Sequence, residues 1–200
     1  MTLLQLVNNW KTDKNTAHSY LGLYENLLNK KKHTAKTILE IGIGDFGEKN
    51  GGSIKLWRDY FPAATVYGLD ILPMARVMDE IQGDPRIVLY TETDAYDEDT
   101  FNRLFYGPES KHNLKCDFML DDGPHKIETN KKFITMYSKI LADDGILIIE
   151  DLQSIDWLEE LAEATPDHLK PYIRFYDLRG IKGRYDDIVF VIDKSGNNSI

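Results

Sequence analysis

Short apolar runs rich in β-branched residues alternate along this chain with longer amphipathic stretches, and that alternation restricts it to repeated βα units around a parallel sheet. The runs Thr37–Ile41, Thr65–Asp70, Arg86–Tyr90, Cys116–Asp121, Ile146–Glu150, Tyr172–Asp177 and Ile188–Ile192 read as strands. Helices fill the intervals over Gly51–Tyr60, Met74–Gln82, Glu98–Tyr106, Lys126–Leu141 and Ile155–Ala164. The last two strands are joined by Leu178–Tyr185, too short for a helical crossover, so they should pair antiparallel. The expected fold is α/β: a doubly wound, mostly parallel seven-stranded sheet ending in an antiparallel hairpin.

Two further helical stretches, Leu3–Trp10 and Ala17–Asn29, precede the first strand and flank the polar segment Lys11–Asn15, which reads as a lid or hinge. At 200 residues and 42% hydrophobic content the chain suits one domain: residues 1–32 as lid helices, 33–194 as core and 195–200 as a frayed tail. The net charge of -9, from 33 acidic against 24 basic residues, repels phosphate backbones and argues against a nucleic-acid partner. The basic cluster Lys30 to Lys32 closes an early helix, where it complements the helix dipole. A lone Cys116 in an apolar run has no disulfide partner and reads as buried. With no secretory leader and no run of about 18 apolar residues to span a bilayer, a cytoplasmic protein is expected, in the host cytoplasm if the source is viral.

The first strand runs into Glu40-Ile41-Gly42-Ile43-Gly44-Asp45-Phe46-Gly47, whose glycines let the backbone turn and approach a ligand closely. The next strand ends in Asp70, placed to accept hydrogen bonds from both hydroxyls of a ribose. Both features serve nicotinamide dinucleotides and S-adenosylmethionine alike. The insertion Glu48–Ser53 favours a cofactor without phosphates, since a pyrophosphate wants the helix N-terminus directly against the glycine turn. After the third strand, Asp94 is placed to receive an adenine amino group; a cap for the following helix is the alternative.

The fourth and fifth strands end in Asp121-Asp122-Gly123-Pro124-His125 and Glu150-Asp151, at the same sheet edge as the glycine loop. Asp122, Glu150 and Asp151 would repel one another there unless a cation or protons intervened. A hard divalent ion, Mg²⁺ or Mn²⁺, is the natural partner. His125, three positions after Asp122, could reach over that ion and remove a proton from an acceptor hydroxyl, with Asp122 beside it; capping of the next helix is the alternative role.

Taken together, Thr12-Asp13-Lys14 with His18 and Tyr20, Leu39-Glu40-Ile41-Gly42, Gly51-Gly52-Ser53, Trp57, Tyr60-Phe61-Pro62, Gly68-Leu69-Asp70, Asp121–His125 and Glu150-Asp151 resemble the metal-dependent macrolide-sugar O-methyltransferases, over Lys11 to about Asp193. The resemblance implies a class I methyltransferase fold, S-adenosylmethionine as cofactor, and a sugar hydroxyl as acceptor, for instance a rhamnose-like deoxysugar in a glycan or glycoside. It implies that Asp122, Glu150 and Asp151 hold Mg²⁺, that His125 is the base, and that Thr12, Asp13 and Lys14 form a lid over the cofactor. Glu40, Ser53 and Asp121 lie in the matched motifs and join Gly42, Gly44, Asp70 and Asp94 as the expected cofactor set. Pro124 stands where the family usually has serine, which stiffens the loop and removes no ligand. The family's long N-terminal extensions, through which its members oligomerise, have no counterpart here, so no oligomeric state follows. Their lack fits a module of a larger polypeptide that also carries glycosyltransferase domains.

Two other readings compete. A nicotinamide-dependent dehydrogenase would use Gly42, Gly44, Gly47 and Asp70 but leave Asp122, His125, Glu150 and Asp151 without a role. A non-catalytic module would bind the adenosyl group without turnover. The acceptor would meet the loops Leu152–Trp157 and Asp177–Asp187, where Trp157, Tyr176 and Tyr185 could stack on a sugar and Arg179, Lys182 and Arg184 could read an acidic group.

Overall fold

The computed structural model describes residues 1–44 and 47–196. Asp45 and Phe46 of the glycine-rich turn, and 197–200 of the expected tail, lie outside the described residues. Seven strands form one sheet: β1 (Thr37–Ile41), β2 (Thr65–Leu69), β3 (Ile87–Tyr90), β4 (Cys116–Asp121), β5 (Leu141–Ile149), β6 (Ile173–Asp177) and β7 (Ile188–Asp193). Their order is β3-β2-β1-β4-β5-β7-β6, with β7 antiparallel to both neighbours and every other pair parallel. This is the expected doubly wound sheet, and the order reverses between β1 and β4, where such sheets open a crevice at their carboxyl ends.

Alternation along the strands sorts side chains into two cores. Ile38, Val66, Phe118, Ile148 and Val191 face α2 (Tyr20–Leu28) and α3 (Gly52–Tyr60), the latter contributing Ile54, Leu56, Trp57 and Tyr60. Leu39, Leu69, Met119, Leu147 and Phe190 face α4 (Glu98–Leu104), α5 (Ile127–Tyr137) and α6 (Trp157–Ala164). Because both faces are covered, the strands are apolar almost throughout, as parallel sheets demand. Cys116 is fully buried.

The structure corrects several boundaries. Met74–Gln82 is not a helix: a 3-10 turn covers Met74–Arg76, and the backbone then pairs with Asn50 through Asn50 N to Arg76 O (2.7 Å) and Met78 N to Asn50 O (2.9 Å). Tertiary pairing takes the backbone groups that a helix would have used, while Val77, Met78 and Ile81 still point inward. The first helix, α1, is only Leu3–Leu6, closed by a Thr2/Gln5 capping box, and α2 begins at Tyr20 rather than Ala17. β5 starts five residues early, at Leu141, with a register shift against β4 between Cys116 and Phe118. The β6–β7 connection contains one short helical turn, α7 (Arg179–Lys182), yet the pair is antiparallel as expected. Lys31 is buried and ion-paired with Asp144 (2.8 Å), so it does more than complement a dipole. No helix among the described residues is long and apolar enough to cross a membrane.

Candidate functional site

A cleft of about 880 Å³ opens at the carboxyl ends of β1, β2 and β4. Its wall contains Gly42, Gly44, Ser53, Asp70, Asp94, Asp122, His125 and Asp151, and Thr12 and Asp13 of the N-terminal segment reach its edge. Gly42 is required there: at φ +94° its missing Cβ would lie 1.9 Å from the carbonyl oxygen of Asp122. The glycine turn and the end of β4 are therefore in direct backbone contact. Asp70 braces the turn, its Oδ2 accepting from Ile43 N (2.7 Å) and Gly44 N (3.3 Å) while Oδ1 accepts from Leu72 N (2.9 Å). Asp94 is not the helix cap, since Asp97 caps α4 by accepting from Thr100 N (2.8 Å); Asp94 instead makes a local turn onto Tyr96 N (2.8 Å) at the cleft wall.

At the other end of the cleft, ligand-capable atoms of Asp122, His125 and Asp151 lie within 4.8 Å of one another. His125 Nε2 is 3.9 Å from Asp122 Oδ1 and 3.6 Å from Asp151 Oδ2. Burial, reinforced by the charge of Asp122, pushes the Asp151 carboxyl up to about 6. Cation binding would relieve that repulsion. Paired oxygens with an imidazole alongside suit a hard divalent ion, so the residues present fit the expected group.

Four expected residues sit behind the cleft rather than on it. Lys14 is wholly buried, with its ammonium 2.6 Å from Asp122 Oδ2, against Glu150 Oε1 and 3.7 Å from Glu40 Oε1. Burial opposes its charge, but the three carboxylates overcome that and hold its pKa well above the ordinary lysine value. Glu150 is 1% exposed and has both oxygens engaged, by Lys14 and by the hydroxyl of Tyr24. It is not part of the Asp122–His125–Asp151 grouping. Glu40 accepts from Trp57 Nε1 (2.9 Å) and is pushed up to about 8 by burial, against the pull of Lys14. Asp121, also fully buried, accepts from Tyr96 and from Asn130 Nδ2 (3.0 Å). Lys14, Glu40 and Asp121 are thus buried outside the cleft wall, where each pairs with other buried side chains.

His18 and Tyr20 stand in the motifs without an assigned role, and nothing in the motifs points to Tyr24 or Asp187. His18 Nδ1 lies 2.7 Å from Asp187 Oδ1 and 3.1 Å from Asp151 Oδ1, and the Tyr20 hydroxyl donates to the same Asp151 oxygen. His18, Asp151 and Asp186 also meet the spacing for a cation, but the bonds to His18 Nδ1 make this a brace that leaves Asp151 Oδ2 toward His125. The four-residue spacing of Tyr20 and Tyr24 was the available signal, since it puts both hydroxyls on one helix face. In the β6–β7 connection, Arg179 pairs with Asp177, Arg184 with Asp186, and Lys182 with carbonyls of the N-terminal segment. Trp157 and Tyr176 pack against the cores, whereas Tyr185 is exposed and donates to Gln153 Oε1 (2.8 Å).

The sheet order, the glycine turn and the carboxylates at the switch point define a class I methyltransferase fold. Two solved structures share it: MycE methyltransferase from the mycinamycin pathway in complex with Mg and SAH (TM-score 0.73, 22% identity, all of this chain and 56% of that one), and Methanococcus jannaschii fibrillarin (TM-score 0.58, 15% identity, 81% and 68%). Within that class, the chain is homologous to the macrolide-type sugar O-methyltransferases. The 8-demethyl-8-alpha-L-rhamnosyl tetracenomycin-C 2'-O-methyltransferase of Streptomyces olivaceus is 30% identical over 156 residues, 73% of this chain and 36% of its own length. Mycinamicin VI 2''-O-methyltransferase of Micromonospora griseorubida is 29% identical over 152 residues, 74% of this chain and 35% of its own. The chain thus spans about a third of the length of these curated relatives. No protein-family model matches it.

Proposed function

We propose that the chain is an S-adenosylmethionine-dependent, divalent-cation-assisted O-methyltransferase acting on a sugar hydroxyl, of the kind borne by a rhamnose-like deoxysugar in a glycan or glycoside. The observation that carries this reading is the meeting of Asp122, His125 and Asp151 at one end of the cleft whose other end is built by Gly42, Gly44 and Asp70. A nicotinamide reading uses only the second end. The relatives named for rhamnosyl and macrolide-sugar methylation support the acceptor class.

In this reading Gly42 and Gly44 admit the cofactor, Asp70 and Asp94 receive its ribose and adenine, and Ser53 with Thr12 and Asp13 closes over it. Asp122 and Asp151 would hold Mg²⁺ or Mn²⁺, with Glu150 buried behind them, and the ion would supply Lewis-acid polarisation of the acceptor hydroxyl. His125 takes the hydroxyl proton at Nε2. S-adenosylmethionine would supply the methyl group at the hydroxyl oxygen and leave as S-adenosylhomocysteine, while the proton stays on the imidazole.

The test is calorimetric titration of S-adenosylhomocysteine and, separately, NAD, each with and without Mg²⁺, followed by turnover on rhamnosylated acceptors with chelator added. Binding of S-adenosylhomocysteine alone, with activity lost in chelator and restored by Mg²⁺ or Mn²⁺, is expected. Binding of NAD, or full activity in excess chelator, would overturn the reading.

A further inference from the structure

We propose that Lys14 is a positioning residue for the acidic centre: its ammonium holds Asp122 and Glu150 in the arrangement that receives the divalent cation. The inference rests on the cation-assisted reading above and adds that the N-terminal segment is part of the cation site, not only a cover on the cofactor cleft.

The geometry is specific. Lys14 reaches from the N-terminal segment to carboxylates carried by three strand ends: Glu40 on β1, Asp122 after β4 and Glu150 after β5. It is 0% exposed and forms no part of the cleft wall, so it has no route to a cofactor in that cleft. Its bond to Asp122 uses Oδ2, at 2.6 Å, and leaves Oδ1 on the side of His125. On Glu150 it takes Oε1 while Tyr24 takes Oε2, so that side chain is held at both oxygens. Three carboxylates thus share one buried amine, and Asp151 follows Glu150 directly in the chain. Without the amine the three would repel and turn apart, or take up protons.

A structural ion pair and a positioning residue predict opposite signs. A fixed positive charge beside a dication weakens its binding, so if Lys14 were only a neighbour, neutralising it would tighten cation binding. If it orders the ligands, neutralising it weakens binding despite the lost repulsion.

The experiment titrates Mn²⁺ into the full chain, with S-adenosylhomocysteine present, followed by electron paramagnetic resonance. Lys14→Met should weaken Mn²⁺ binding at least about tenfold, as loss of outer-shell support does. Lys14→Arg, which keeps the charge, should bind Mn²⁺ more tightly than Lys14→Met. Unchanged or tighter Mn²⁺ binding in Lys14→Met overturns the proposal. Should that variant not fold, the buried ammonium is followed in the wild type by its ¹⁵N resonance, which must shift on adding Mg²⁺; a resonance indifferent to saturating Mg²⁺ overturns the proposal equally. Asp151→Asn is the control for the underlying reading: if wild type and Asp151→Asn take up Mn²⁺ alike, the cation-assisted reading itself fails.

Discussion

His125 Nε2 lies 3.6 Å from Asp151 Oδ2, and both residues hold a left-handed backbone, at φ +51° and +56°. Neither is a glycine, so each conformation costs of order 1–3 kcal/mol that the surrounding structure must supply. The two come from the ends of neighbouring strands, β4 and β5. Their shared strain turns an imidazole and a carboxylate toward each other over the cleft, the arrangement that the proposed function asks of a base beside a cation ligand.

Under the proposed function, His125→Ala lowers turnover by about 10²-fold or more, the usual loss for a general base. Affinity for S-adenosylhomocysteine, measured by calorimetry, stays near wild type. Unchanged turnover would remove His125 from the mechanism.

Gly42→Ala tests the contact between the glycine turn and the end of β4. The added methyl would meet Asp122 O at 1.9 Å, and alanine would also be held at φ +94°. Backbone strain and overpacking together should cost about 2–5 kcal/mol. Urea unfolding measures it; a variant as stable as wild type would show that the turn and Asp122 are not locked together.

Asp121 makes the stability of the metal-free protein depend on pH. Burial pushes its carboxyl from 3.8 up to about 6, against hydrogen bonds from Tyr96 and Asn130 that favour the charged form. With the folded value above the unfolded one, its contribution is fully present below about pH 4 and is lost as pH rises through about 6. In Asp121→Asn the acceptor for Tyr96 is kept, and Asn130, whose Oδ1 has no partner, can turn its amide to match. Relative to wild type this variant should gain about 3 kcal/mol between about pH 4 and pH 7, read from urea unfolding in chelator. Parallel stability profiles would refute the assignment.

Lys182 links the β6–β7 connection to the N-terminal segment. Its ammonium donates to the carbonyls of Asn15, Thr16 (3.3 Å) and His18 (2.7 Å). Lys182→Met frees that segment, so S-adenosylhomocysteine affinity should fall about threefold to tenfold and proteolysis within residues 11–19 should quicken. No change in either would make the latch incidental.

The sheet was legible because its signals are local: each apolar run carries its own alternation, and β1 and β4 have the expected ends to the residue. Met74–Gln82 was misread because its helical spacing of apolar residues is real, but Asn50, distant in sequence, claims its backbone. The glycine turn, Asp70, Asp122, His125 and Asp151 could be placed from the chain because strand ends in a doubly wound sheet must share one edge. The partners of Lys14, Glu40, Asp121 and Glu150 could not. A carboxylate at a strand end is compatible with facing solvent, a cofactor, a cation or a lysine, and the choice depends on which side chains from other elements arrive beside it. The sequence by itself determined the sheet and the edge at which its chemistry gathers. The tertiary structure decided which carboxylates face the cleft and which are neutralised beneath it, because burial makes an unpaired charge costly and its partner came from 108 residues away for Asp122 and 136 for Glu150.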